Sequence, residues 1–177
     1  TVGRPPEGVE IRVVDEHDKE VAPGVVGEIL VRADVSSLLS YHNRPDATSE
    51  LQRGEWVTFG DLGYVDEDGF LWLTDRKKDL VISGGVNIFP TEVENAVSVL
   101  PEITDCVAFG VPDYDLGEVL ALVAVRREGS SLTEEQLASC IREKLGALRT
   151  PRYITFTAEL PREDTGKLAR RKVKSAF

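Results

Sequence analysis

Short alternating segments dominate the first part of the chain. Residues 9–14 alternate apolar and polar side chains, which predicts a half-buried strand, and residues 27–31 predict the next strand. The sequence Asp66-Glu67-Asp68-Gly69 predicts a hairpin turn between strands at residues 62–65 and 70–74. Strands at this spacing are typical of a small barrel or sandwich, so this part of the chain predicts a β-barrel-like subdomain.

The second part of the chain mixes helical and strand spacing. Apolar residues recur at helical spacing over residues 90–100, where Pro90 suits the first turn of a helix. Residues 133–145 predict a second helix, with Thr133 as its N-cap and Gln136 at the capping-box position. The remaining predicted elements are strands at residues 103–111, 119–125 and 154–157 and a basic helix at residues 168–176.

The predicted fold class is α+β, and a run of charges divides the chain. Residues 76–79 carry four charges in a row, which is typical of an exposed connection. We therefore predict a β-rich subdomain over residues 1–75, a hinge over residues 76–79 and a compact α+β domain over residues 80–177.

Composition narrows the classes of function. The 177 residues carry a net charge of −10, which disfavours nucleic acid as a partner. The locally basic run at residues 162–174 suits an anionic small molecule instead.

The sequence shows no signal peptide and no apolar run long enough to span a membrane. Cys106 and Cys140 lie in apolar contexts, which predicts reduced thiols. His17 and His42 are isolated, so no metal site is predicted. Together these features favour a cytoplasmic location.

One lysine near the end of the chain has the setting of a catalytic group. Lys167 follows a Thr165-Gly166 turn and can reach out as a single mobile positive charge, which suits an oxyanion or a phosphate. The Gly-Lys pair is not a Walker A loop, because the first glycine of that loop is lacking and Leu168 replaces the Ser/Thr that binds magnesium.

Five motifs follow one another along most of the chain. They are Gly60-Asp61-Leu62-Gly63, Asp75-Arg76-Lys77-Lys78-Asp79, Ser83-Gly84-Gly85, Gly110-Val111-Pro112-Asp113, and Leu160-Pro161 with Thr165-Gly166-Lys167. In this order and spacing they resemble the adenylate-forming superfamily, and most closely its acyl-CoA synthetase branch.

The resemblance implies ATP, Mg²⁺ and CoA as cofactors and a small-molecule carboxylic acid as substrate. In the implied reaction the carboxylate attacks the α-phosphate of Mg-ATP and releases pyrophosphate. The thiol of CoA then attacks the acyl carbon and releases AMP.

The resemblance also implies roles for single residues. Lys167 would bridge carboxylate and phosphate oxygens during adenylation, where a preorganised cation lowers the barrier. Asp61 would accept both ribose hydroxyls of the nucleotide, and Arg76 would contact the ribose. Lys78 matches the hinge about which the small domain swings between the two half-reactions.

CoA binding is implied for four residues. Ser83, Gly84 and Gly85 would let the backbone approach the pantetheine closely. Arg152 matches a basic position that contacts the CoA phosphates in some relatives, and Arg149 is a weaker candidate for the same role.

Two departures and several absences bear on this interpretation. Phe59 stands where the family usually has Thr, and Leu116 stands where it commonly has Trp, which alters a hydroxyl contact and local packing. The family's phosphate loop, its Tyr-Gly-x-Thr-Glu segment and its acyl pocket would precede Thr1. We therefore expect a piece of a longer protein whose partner is a missing N-terminal domain. These residues alone should bind nucleotide poorly and should not turn over, and the Mg²⁺ ligands should lie outside them.

Three other interpretations stay open. An adenylation domain would load a carrier protein instead of free CoA, although residues 82–87 resemble the ligase branch. A luciferase-like enzyme would oxidise the adenylate. A non-catalytic module that binds CoA or nucleotide would be indicated by the loss of Lys167 or Asp61, and both are present. The sequence indicates neither the acid nor the oligomeric state.

Overall fold

The computed structural model describes residues 1–33 and 51–177, so His42 lies outside the described residues. The described chain divides into two compact units, Thr1–Lys78 and Asp79–Phe177. Sheets and helices are both present, which confirms the α+β class. In the described ranges no helix is both long and apolar enough to cross a membrane.

The first unit is an antiparallel sheet centred on one long strand. Its strands are β1 (Val9–Val14), β2 (Gly27–Ala33), β3 (Gln52–Arg53), β4 (Trp56–Val65) and β5 (Leu71–Arg76). The order is β1-β2-β4-β3, and β5 also pairs with β4. The register shifts between Glu28 and Leu30 and between Leu62 and Gly63. Such bulges bend the strands and increase their twist, which suits a barrel-like sheet. The core of the unit is formed by Val13, Ile29 and Leu71.

The second unit is built on a five-stranded sheet of order β10-β9-β6-β7, in which β8 also pairs with β9. Its strands are β6 (Val81–Ser83), β7 (Val86–Ile88), β8 (Ile103–Asp113), β9 (Gly117–Arg126) and β10 (Tyr153–Thr157). Its helices are α1 (Pro90–Ser98), α2 (Glu134–Leu145) and α3 (Arg170–Ala176). β10 runs parallel to β9, whereas the β8–β9 pair is antiparallel.

Both faces of the second sheet are buried, which explains why β8 and β9 are apolar almost throughout. Ala108 and Leu122 belong to the cluster that also contains α1 and α2 residues such as Val93 and Leu137. The next positions along the strands belong to a second cluster, formed by Val107, Phe109, Ala121 and Val123 with Leu160 and Val173. The unit is therefore layered, with α1 and α2 on one face and α3 on the other.

Local sequence signals fix the start of one helix, whereas a contact outside the helix fixes the start of another. The capping box predicted at Thr133 and Gln136 is confirmed, since each side chain bonds the backbone amide of the other. The predicted start of the last helix at residue 168 is wrong by two residues, because Leu168 forms an antiparallel bridge with Arg162. The helix begins at Arg170 once that bridge has ended.

Candidate functional site

The turn that carries Lys167 is closed by its own backbone. The Glu163 amide donates to the Lys167 carbonyl at 2.8 Å, and the Gly166 amide donates to the Glu163 carbonyl at 2.8 Å. Gly166 has φ of 80°, a left-handed conformation that glycine adopts without strain. The Lys167 side chain is exposed, and within the described residues its ammonium forms no ion pair. A fixed backbone thus presents an available cation.

Asp61 and Arg76, which the resemblance places at the ribose, lie together in the first unit. They are directly opposite each other in the β4–β5 ladder, and Arg76 Nε lies 2.7 Å from Asp61 Oδ1. The Asp61 side chain keeps 27 % of its surface exposed and that of Arg76 keeps 56 %, so both remain accessible. The pair offers a carboxylate whose orientation is fixed by a neighbouring guanidinium.

Next to this pair lies a buried carboxylate that sequence reasoning missed. Glu28 is opposite Leu62, the neighbour of Asp61, and is only 6 % exposed. Its carboxylate accepts from Lys77 Nζ at 2.7 Å, from Thr58 Oγ1 at 2.7 Å and from Arg53 Nη2 at 3.0 Å. The available signal was a glutamate directly before the apolar run at residues 29–31.

The charge state of Glu28 follows from this environment. Burial opposes ionisation, but the hydrogen bonds from Lys77 and Thr58 and the charges of Lys77 and Arg53 outweigh it, so the pKa of Glu28 lies below its ordinary value of 4.5. The ionised side chain therefore ties the residue that follows Arg76 to the middle of the first unit.

Lys78 lies at the junction of the two units. It belongs to a single 3-10 turn, Lys77–Asp79, and its side chain is exposed. The first compact unit ends at Lys78 and the second begins at Asp79.

The predicted CoA residues Ser83, Gly84 and Gly85 form the turn between β6 and β7. Ser83 pairs with Val86, so the two glycines are the central residues of a two-residue hairpin turn. Their φ values of 56° and 82° are those that a type I′ turn requires. The hairpin alone accounts for both glycines, and a contact with pantetheine stays a prediction.

Arg152 is connected to this hairpin through one acidic residue. Its Nη1 pairs with Asp113 Oδ2, while Asp113 Oδ1 accepts from the Leu116 amide at 3.0 Å. The Leu116 carbonyl in turn accepts from the Gly84 amide at 2.9 Å. The Leu116 amide above all, and then the Asp115 amide and the charge of Arg152, hold the pKa of Asp113 below its ordinary value of 3.8. The structure thus brings Arg152 and the hairpin to one end of the second sheet.

The weaker candidate, Arg149, has a different setting. Its Nε lies 2.7 Å from Glu92 Oε2 on the first turn of α1, and both side chains are more than a third exposed. This ion pair joins α1 to the turn after α2.

Two of these sites lie at opposite ends of strand β8. Arg162, at the base of the Lys167 turn, pairs with Asp105 near the start of β8, whereas Arg152 pairs with Asp113 at its end. Eight residue steps separate the two aspartates, which corresponds to about 26 Å of strand. The second unit therefore carries two distinct polar surfaces.

Metal ligands are not clustered in this part of the protein. Across residues 1–33 and 51–177, no group of three or more His, Cys, Asp or Glu side chains is arranged to hold a metal ion.

Comparison with known proteins shows which enzymes this chain is similar to. Residues 92–167 match the family model of the AMP-binding enzyme C-terminal domain. The long-chain-fatty-acid–CoA ligase of Escherichia coli O157:H7 is 38 % identical over 174 residues, which cover 98 % of this chain and 31 % of the ligase.

Solved structures are similar over nearly the whole chain. The amide bond synthetase McbA from Marinactinospora thermotolerans matches 99 % of this chain with a TM-score of 0.87 and 34 % identity. ATP-bound MatB from Rhodopseudomonas palustris matches 99 % with a TM-score of 0.88 and 31 % identity. The chain spans 36 % of the McbA chain and 35 % of the MatB chain, about a third of each.

Proposed function

Because this chain belongs to the adenylate-forming superfamily, we propose that it serves an AMP-forming ligase that joins a carboxylic acid to CoA. One observation carries the proposal. The turn of residues 163–167 (the Lys167 turn) and the surface formed by Arg152, Asp113 and the hairpin of residues 83–86 (the Arg152 surface) are anchored about 26 Å apart along β8. Two half-reactions at one active site can use surfaces so far apart only if the second unit turns between them. The exposed junction at Lys78 is where we propose that this rotation occurs.

In the first half-reaction, Lys167 serves as the cation. A carboxylate oxygen of the acid attacks the α-phosphorus of ATP, and the bond to pyrophosphate breaks. Negative charge gathers on the phosphate oxygens in this transition state, so an ammonium held on a closed turn lowers the barrier. Its lack of an acidic partner in the described chain supports this role, because no ion pair has to be broken first.

The nucleotide is held by Asp61 and Arg76. A carboxylate has two acceptor oxygens, which suits a vicinal diol such as the ribose hydroxyls. Arg76, 2.7 Å from Asp61, orients the carboxylate and keeps its negative charge compensated. The ATP-bound state of the related MatB supports a nucleotide as the ligand here.

In the second half-reaction, the Arg152 end of the sheet faces the adenylate. The sulfur of CoA attacks the acyl carbon, AMP leaves with the electron pair of the broken acyl–phosphate bond, and the thiol proton goes to solvent. Gly84 and Gly85 present backbone without side chains, and no atom outside the turn lies within 4 Å of where a Cβ at Gly85 would be. Arg152 offers a half-exposed guanidinium to a phosphate of CoA.

Magnesium, where ATP brings it, would be coordinated by groups outside the described residues. Among residues 1–33 and 51–177, no three His, Cys, Asp or Glu side chains are grouped to hold it. It would neutralise charge on the phosphates, while the contribution of this chain is the Lys167 ammonium.

The acceptor of the acyl group has a second candidate. The similarity to an amide bond synthetase, at a TM-score of 0.87, favours an amine as the alternative nucleophile on the same scaffold. A carrier-protein thiol is the other alternative. The hairpin and Arg152 surface favours CoA, because its nucleotide phosphates suit a guanidinium.

The test separates the two half-reactions in the full-length protein. ATP–pyrophosphate exchange with a panel of carboxylic acids measures adenylation, and thioester formation from preformed acyl-adenylate and CoA measures the second step. Lys167→Ala should slow exchange by about two to three powers of ten, the scale for losing one electrostatic stabiliser. Thioester formation should change much less.

A matched control and the opposing outcome make the test decisive. Lys174→Ala removes another exposed lysine of the C-terminal segment and should leave both steps unchanged. Undiminished exchange in Lys167→Ala would contradict the proposal. Amide formation from amines without thioester formation from CoA would replace the acceptor.

A further inference from the structure

Two arginines tie the segment that carries Lys167 to strand β8. Arg162 precedes the turn by one residue, and Arg170 lies three residues after Lys167. The residues directly before the two arginines are joined to each other, since the Ala169 amide donates to the Pro161 carbonyl at 2.9 Å. The ties therefore act on both ends of one closed loop.

Arg162 joins the turn to β8 with a single guanidinium. Its Nη2 pairs with the Asp105 carboxylate on β8, and its Nη1 donates to the Gly166 carbonyl at 3.0 Å. Because the guanidinium is planar and rigid, the two contacts fix each other's geometry. The bonded carbonyl belongs to the peptide group that leads into Lys167. The orientation of this peptide group is therefore fixed relative to β8 through Arg162.

Arg170 forms the second connection to β8, at the edge of the sheet. It pairs with Glu94 of α1 at 2.8 Å and also donates to the carbonyl of Ala108. Glu94 in turn accepts from the Ala108 amide at 2.7 Å. Ala108 is fully buried, so its backbone groups need such partners. The pair thus joins α1, β8 and α3 across the sheet edge.

We propose that Arg162 and Arg170 are positioning residues that hold the Lys167 turn rigidly on β8. The inference rests on the function proposed above and adds the device that makes Lys167 effective. Because its backbone is fixed on both sides, Lys167 moves with the whole unit. Only its side-chain torsions then have to adjust to bring the ammonium to the phosphate. Misplacing a reacting group by about 1 Å can cost roughly a hundredfold in rate, so a loosened turn should slow adenylation specifically.

Arg162 is the better residue to test, because its side chain is 51 % exposed and its loss leaves no buried charge unpaired. In the full-length protein, Arg162→Ala should reduce ATP–pyrophosphate exchange by about 10- to 100-fold. Thioester formation from preformed adenylate should stay within about twofold of wild type. Arg127→Ala is the matched control, because Arg127 also donates to a backbone carbonyl, that of Pro101, and lies outside the proposed site.

Two further measurements show whether Arg162 acts through Lys167. In a Lys167→Ala background, Arg162→Ala should reduce exchange activity by no more than about twofold further. Amide hydrogen exchange over residues 160–169 should become about fivefold faster in Arg162→Ala, the effect of losing one hydrogen bond, and should not change in Arg127→Ala.

The failure of this proposal differs from the failure of the proposed function. Equal slowing of both half-reactions, a large further loss in the Lys167→Ala background, or unchanged amide exchange would each overturn the positioning role. Undiminished adenylation in Lys167→Ala would overturn the function assigned to that lysine, while the amide exchange would still decide whether Arg162 holds the turn.

Discussion

Glu28 provides the most direct test of how the first unit is held together. We consider the substitution Glu28→Gln, which keeps the size of the side chain and removes its charge. Glu28 is 6 % exposed, and its carboxylate accepts from Lys77, Arg53 and Thr58. Glutamine would keep an acceptor for Thr58 but would present an NH₂ group to a cation.

The expected loss follows from these contacts. A hydrogen bond to a charged group contributes about 1.5–3 kcal/mol, and Glu28 has two such partners. Solvent reduces this value, since Lys77 is 51 % and Arg53 34 % exposed and both can turn to water. We therefore expect Glu28→Gln to lower the free energy of unfolding of the first unit by about 2–3 kcal/mol at pH 7.

The effect should also depend on pH with a defined sign. The pKa of Glu28 is lowered from 4.5 on folding, so its ionised form stabilises the fold at pH values above 4.5. This contribution is lost as the pH falls through the lowered pKa of the folded state. The difference between wild type and Glu28→Gln should thus be complete at pH 7 and shrink below pH 4.5.

Urea unfolding followed by tryptophan fluorescence suits this test. The only tryptophans of the sequence, Trp56 and Trp72, both lie in the first unit and report its transition. Glu10→Gln is the control, because Glu10 also pairs with an arginine of this sheet but is exposed, so its loss should matter less. Equal effects of the two substitutions, or a Glu28→Gln difference that grows in acid, would refute the reasoning.

Two other predictions concern packing and reactivity. A Cβ at Gly63 would lie 2.1 Å from the Trp72 carbonyl, so Gly63→Ala should destabilise the first unit by about 2 kcal/mol or more in the same urea assay. Gly69→Ala meets no atom within 4 Å and should cost only the strain of its positive φ, about 1 kcal/mol; equal losses would contradict the clash. Burial raises the pKa of Cys106 to about 12, so iodoacetamide at pH 8 should modify it only after unfolding; native-state labelling at Cys106 ahead of the half-buried Cys140 would refute this.

Local patterns predicted the elements that are long enough to show a period. The helices α1 and α2 and the long strands β8 and β9 were all expected close to their observed bounds. The short strands β3, β6 and β7, of two or three residues each, were not predicted. Such segments cannot display an alternation, and they become strands only because longer neighbours pair with them.

The family and its candidate residues were likewise accessible from the sequence. The order of the motifs indicated the adenylate-forming superfamily, and the comparisons confirm that assignment. A motif identifies residue types at fixed spacing, so Lys167, Asp61 and Arg76 could be named without coordinates. Their contacts could not, because the partner of Arg76 is set by the register of β4 and β5.

The sequence by itself thus determined the period of each long element, the capping box and the identity of the charged groups, because these depend on neighbours a few residues away. The tertiary structure alone decided that Glu28 meets Lys77, 49 residues along the chain, and that Arg170 meets Glu94, 76 residues away. It also put the Lys167 turn and Arg152 at opposite ends of β8. The cause is physical: a buried charge needs a partner wherever the fold supplies one, and strand pairing sets which distant residues become neighbours.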